Sequence, residues 1–177
     1  EQAWKQEKYD VLRYWSEIEK NSPIKKKEVY GDIVAHPHVY TTTFLDTCGE
    51  LFYQTGNLKE ACQLYEYLHS IVEEQQDKAS YLNMLAFIYD KLGEVEKALE
   101  MYKEAETIAG EIGNRESIAA SIINQAGIHA SRGELEKALA MSKEAETIAR
   151  EIGDQESIAG SINNQARIHE RRGELEK

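Results

Sequence analysis

Proline is nearly missing from this sequence, with two residues among 177, and cysteine is as rare, also with two. Glycine is sparse at eleven, and aromatic residues make up only 8 %. So little proline and glycine excludes collagen-like and proline-rich disordered chains. Two cysteines, Cys48 and Cys62, are too few for a disulfide framework. Both fall in helical patterns and read as small core hydrophobes, so a reducing, cytoplasmic setting is expected. No run of about 18 apolar residues occurs, which excludes a membrane-spanning helix. The opening stretch EQAWKQEKYD has no apolar segment of the secretory kind. Positive charge is short as well: 21 Lys and Arg stand against 32 Asp and Glu, a formal net charge of −11. That balance argues against nucleic acid as the main partner.

What the sequence does have is self-similarity. Residues 107–137 and 147–177 align without a gap at a spacing of 40, and 23 of the 31 positions are identical. A glycine–acidic–aliphatic marker recurs as Gly93-Glu94-Val95, Gly133-Glu134-Leu135 and Gly173-Glu174-Leu175, with an earlier relative at Gly56-Asn57-Leu58. A period near 40 is the mark of a stacked array, in which each unit is one supersecondary element.

Each unit reads as two helices. Ile122, Gln125, Ala126 and His129 stand at i, i+3, i+4 and i+7, one face of a helix that ends at Arg132-Gly133. Leu135, Ala138, Leu139, Met141, Ala145 and Ile148 then form a broad apolar stripe on a second helix, closed by Gly153. Asn114 and Asp154 are placed to cap the next first helices, with Glu116 and Glu156 in their opening turns. One such pair cannot bury its own apolar faces; stacked neighbours can.

This pattern resembles the tetratricopeptide repeat family in its 40-residue form. Leu45, Cys48, Gly49, Phe52, Gly56, Ala61, Tyr65 and Leu68 supply a first repeat; Leu82, Leu85, Ala86, Tyr89, Gly93, Ala98, Tyr102 and Ala105 supply a second. The third and fourth depart from it: Gln125 and Gln165 replace leucine, His129 and His169 replace tyrosine, and Ser142 replaces an aromatic residue. The resemblance implies an all-α, right-handed solenoid of antiparallel helix pairs. The array is expected over 42–177, about three and a half repeats, since Lys177 falls early in a second helix. Residues 1–23, with Trp4, Val11, Trp15 and Ile18 at helical spacing, read as a degenerate or capping helix. Residues 24–41 hold Pro37 and the run Lys25–Lys27, follow directly on Pro23, and read as a connecting loop.

No catalytic pattern stands out. Glycines occur singly at helix ends rather than in phosphate loops, and there is no nucleophile elbow or zinc-ligand helix. Five histidines, His36, His38, His69, His129 and His169, lack the grouping that a metal needs, and no cofactor is expected. Carboxylate pairs such as Glu134/Glu136 and Glu144/Glu146 recur in each unit, as on a solvated face.

What remains is a binding surface. By the resemblance, first helices line a concave groove, and its inner positions are Asp46, Glu50, Asn83, Phe87, Asp90, Asn124, Gly127, Asn163, Asn164, Arg167 and Arg171. Asn124 and Asn164 stand where 40-residue members of the family offer an amide to a peptide backbone, which can both donate and accept. Phe87 suits an apolar side chain, and Arg167 and Arg171 suit a carboxylate. The function implied is a protein-interaction module, a scaffold or adaptor holding a peptide or helical segment, with no catalysis of its own. The alternative is a regulatory array of a larger effector (a peptidase, a nucleotide-triphosphatase or a transcription regulator), self-associating through an uncapped C-terminal end.

Overall fold

The structure, a computed structural model, describes residues 23–173. The region read as a capping helix, 1–23, lies outside those residues except for Pro23, as does the last stretch from Glu174. The chain divides into two units, 1–72 and 73–177.

In the first unit, α1 (Pro23–Ala35) is followed by a single 3-10 turn (Pro37–Val39), then α2 (Thr42–Gln54) and α3 (Leu58–Ile71). The stretch 24–41 is therefore not a loop: most of it is α1. Pro23 stands at the helix start, where a missing N–H is harmless, and Pro37 opens the 3-10 turn. Helix α1 is anchored by Tyr30 and Ile33, both buried, with the Tyr30 and Phe52 ring centroids 4.1 Å apart. Helix α2 starts at Thr41, whose hydroxyl accepts the Phe44 amide at 3.2 Å. It packs along α3 through Leu45, Cys48, Phe52, Ala61, Leu64, Tyr65 and Leu68, all buried. Gly49 permits this approach, because a Cβ there would lie 2.8 Å from the Tyr65 ring.

The second unit contains α4 (Gln75–Leu92), α5 (Val95–Glu111), α6 (Arg115–Ser131), α7 (Leu135–Ile152) and α8 (Gln155–Arg172). Consecutive helices pack as antiparallel neighbours, and the first helices of successive repeats, α4 with α6 and α6 with α8, also touch. The repeat is visible in the core: Ala98 and Ala138, Ala105 and Ala145, Ala109 and Ala149 are fully buried pairs 40 residues apart. Alanine at a helix contact lets two backbones come close and adds no side-chain entropy. The expected caps form: Asn114 accepts the Ser117 amide at 3.0 Å, and Asp154 accepts those of Glu156 and Ser157 at 3.0 and 3.2 Å. Helices α4, α7 and α8 stop at Gly93, Gly153 and Gly173, whose φ values of 82°, 77° and 70° lie in the left-handed region. All described helices are α or 3-10, no strand occurs among the described residues, and the fold is an all-α repeat solenoid.

Candidate functional site

In the second unit, α4, α6 and α8 lie in sequence and present one side together. Two clefts form there. One, of about 240 Å³, is lined by Phe87, Asp90 and Lys91 of α4, Tyr102 of α5, Ile123, Asn124, Gly127, Ile128 and Ser131 of α6, and Asn164 and Arg167 of α8. The other, of about 380 Å³, lies nearer the helix N-termini between α6 and α8. It is lined by Glu116, Ala120, Ile123, Asn124, Asp154, Glu156, Ser157 and Gly160. Ile123 and Asn124 belong to both.

Six residues expected from the sequence, Phe87, Asp90, Asn124, Gly127, Asn164 and Arg167, thus meet in one cleft. Asn83, Asn163 and Arg171 lie outside it, and Asp46 and Glu50 belong to the first unit. Asn163 is exposed on α8, Asn83 accepts the Ser121 hydroxyl at 2.7 Å, and the Arg171 guanidinium donates to the Ala130 carbonyl. Asn164 also has an internal role, since its amide donates to the Ile123 carbonyl at 3.0 Å. The Asn83–Ser121 bond, Asn164 and Arg171 join neighbouring first helices and fix their spacing.

Ion pairs engage most arginines of the second unit. Arg132 pairs with Glu96 and Arg172 with Glu136 at 2.6 Å between repeats, Arg115 pairs with Glu151 within one repeat, and Arg150 pairs with Glu146 at 2.7 Å along α7. Among the described arginines only Arg167 has neither a carboxylate nor a carbonyl partner. In a strongly acidic chain, one arginine is left open to solvent within a cleft. Lys91 lies over the Phe87 ring at 4.9 Å from its centroid, a cation–π contact.

Sequence reading missed a pair of polar locks, one buried and one half-buried. Gln125, 3 % exposed, donates to Glu106 at 2.7 Å, and Gln165 donates to Glu146 at 2.6 Å. The hydrogen bond from Gln165, then that from Arg150, holds the Glu146 carboxyl below its usual range. The signal was present: glutamate and glutamine recur together at the same spacing of 19 in both repeats. His129 is buried and its Nδ1–H donates to Glu134 at 2.9 Å across the turn between α6 and α7. No three histidine, cysteine or acidic side chains are grouped as a metal would need among the described residues.

Residues 41–111 match the family model of the tetratricopeptide repeat. That stretch carries tetratricopeptide repeat sequence. Its fold is similar to that of BtubC (BKLC) from P. vanneervenii, with 15 % identity, coverage of 97 % of this chain and 82 % of that one, and a TM-score of 0.67. It is also similar to a putative kinesin light chain of Podosopora anserina with nearly identical repeats, at 18 % identity, 96 % and 86 % coverage and a TM-score of 0.64. A third likeness is to aspartyl phosphate phosphatase F of Bacillus subtilis, at 15 % identity and a TM-score of 0.75. There it covers 97 % of this chain and spans about half, 47 %, of that structure. No curated protein sequence matches the chain significantly. No described helix is long and apolar enough to cross a membrane.

Proposed function

We propose that this protein is an interaction module that holds a segment of a partner protein against the α4–α6–α8 face, without catalysis of its own. The observation that carries this reading is the cleft in which Phe87, Asn124 and Arg167 converge from three successive first helices. Its floor of Ile123, Ile128 and Tyr102 suits an apolar side chain, and its rim of Asn124, Ser131 and Arg167 suits a peptide backbone and a carboxylate. Asn163, Asn164 and Arg171 frame the same face, with Asn83 on α4. In this reading the module acts in the cytoplasm, as a scaffold or adaptor, on protein and not on nucleic acid or membrane.

The test is affinity for a partner captured from source cells by the full chain. Asn124→Ala combined with Arg167→Ala is expected to weaken that complex at least tenfold while leaving the helical circular-dichroism spectrum unchanged. Undiminished affinity in the double variant contradicts the groove reading.

One observation favours a second reading. Ile162 of α8 is 46 % exposed, whereas Ile122, its equivalent in α6, is 3 % exposed. An apolar face of this kind accepts a further helix or a second copy, which fits a regulatory array of a larger effector or a self-associating chain. Sedimentation that gives a monomer at high concentration, for wild type and Ile162→Glu alike, removes self-association.

A further inference from the structure

Phe87, Gly127 and Arg167 occupy the same position in three successive first helices, 40 residues apart, and all three line one cleft. Read across the face, the order is a ring, an empty place and a long cation. Gly127 lies in the interior of α6, where glycine is less favourable than alanine by about 1 kcal/mol. Packing within the chain does not require it, because a Cβ built at Gly127 meets nothing within 4 Å. Gly49 is the opposite case, excluded from alanine by the Tyr65 ring. Gly31 and Gly110 also face open space, but both are exposed, and Gly127 is half-buried in a cleft wall. The notch over Gly127 is open to something from outside.

We propose that this notch receives an aromatic side chain of an extended peptide partner, seated between the Phe87 ring and the Arg167 guanidinium. The proposal rests on the groove reading above and names the side chain that the groove selects. The walls decide the chemistry. Phe87 offers a partner for offset or edge-on ring packing. A guanidinium stacks well on an aromatic face, and Arg167 has no competing carboxylate among the described residues. Ile123, Ile128 and Tyr102 give an apolar floor. A lysine side chain entering the notch meets two cations, Lys91 and Arg167, against one carboxylate, Asp90; an acidic one gains Arg167 at the rim but faces Asp90 and loses its hydration against the apolar floor. An aliphatic side chain gains the floor and nothing from the cation. A planar ring uses the ring wall, the cation and the floor together, while Asn124 on the rim serves the peptide main chain.

The experiment is selection of a displayed library of random short peptides on the full chain. The winners are then mapped by amide chemical shifts and titrated against the wild type and two variants. The expected winners carry an aromatic residue, shift the Gly127 amide, bind Arg167→Ala about tenfold more weakly, and fail to bind Gly127→Leu. Gly127→Leu should keep its helical spectrum and melt no lower than the wild type, since leucine is the better helix former. Winners without aromatic preference that still shift Asn124 and Asn164 overturn the aromatic assignment and leave the groove reading standing. Winners that shift neither residue, or a selection that enriches nothing, overturn both. Undiminished binding to Gly127→Leu overturns the notch itself.

Discussion

Gly49 and His129 show how much depends on single side chains in this array. Gly49 lies against the Tyr65 ring, with 2.8 Å available to a Cβ, and the ring is itself fully buried. Gly49→Ala is therefore expected to lower stability by about 1–3 kcal/mol through overpacking, despite alanine's better helix propensity; a urea melt checks it, and unchanged stability contradicts the packing. At His129, burial and then the charge of Lys137 hold the imidazole below its usual 6.5, while Glu134 pulls the other way. The unfolded chain then takes up this proton before the folded chain does. Stability is complete at neutral pH and declines as pH falls below about 6.5 towards the lowered value. His129→Gln is expected to flatten that part of the stability–pH curve, measured as urea midpoints across pH. At this scale the sequence was partly legible. The cleft residues Phe87, Asn124, Asn164 and Arg167 followed from the repeat position. The hydrogen bonds that engage Asn83, Asn164 and Arg171 did not, because they depend on the spacing of helices that lie 38 to 41 residues apart in the chain.

At the scale of the helix, the period of 40 set nearly every boundary in the second unit, since caps and stops recur with it. Asp154→Ala and Asn114→Ala are each expected to cost about 1 kcal/mol, read by thermal unfolding, because each side chain satisfies amides at a helix start. Hydrogen bonds from Ser157 and Glu156 hold the Asp154 carboxyl below its usual range. The contribution of this cap is therefore present at neutral pH and fades in acid as the carboxyl protonates. The stretch 24–41 misled the sequence reading, because proline was taken as a loop signal. Pro23 instead begins a helix, and the buried Tyr30 and Ile33 give that helix its inward face. The polar locks are also an element-scale feature. Gln125 occupies a leucine position, yet its amide reaches Glu106 and its stem fills the space. Gln125→Leu is expected to cost less than about 1 kcal/mol, and Gln125→Ala about 2 kcal/mol from the cavity and the lost hydrogen bond. Equal losses in denaturant melts contradict this division.

For the whole molecule, the charge pattern and the repeat point in one direction. The net charge is −11, and among the described arginines all but Arg167 are engaged with the chain's own carboxylates and carbonyls, which leaves Arg167 as an open cation in a cleft. The solenoid class was legible from composition and period, because stacking is the only way such pairs bury their stripes. The identity of the ligand was not legible, since a face of half-exposed side chains follows no packing rule. The α4–α6–α8 face is the proposed seat of the partner. The most direct test is amide hydrogen exchange of the full chain with and without a captured partner. Protection of 83–91, 120–131 and 160–171, with α5 and α7 unchanged, is the predicted result. Protection confined to α5 and α7 contradicts it.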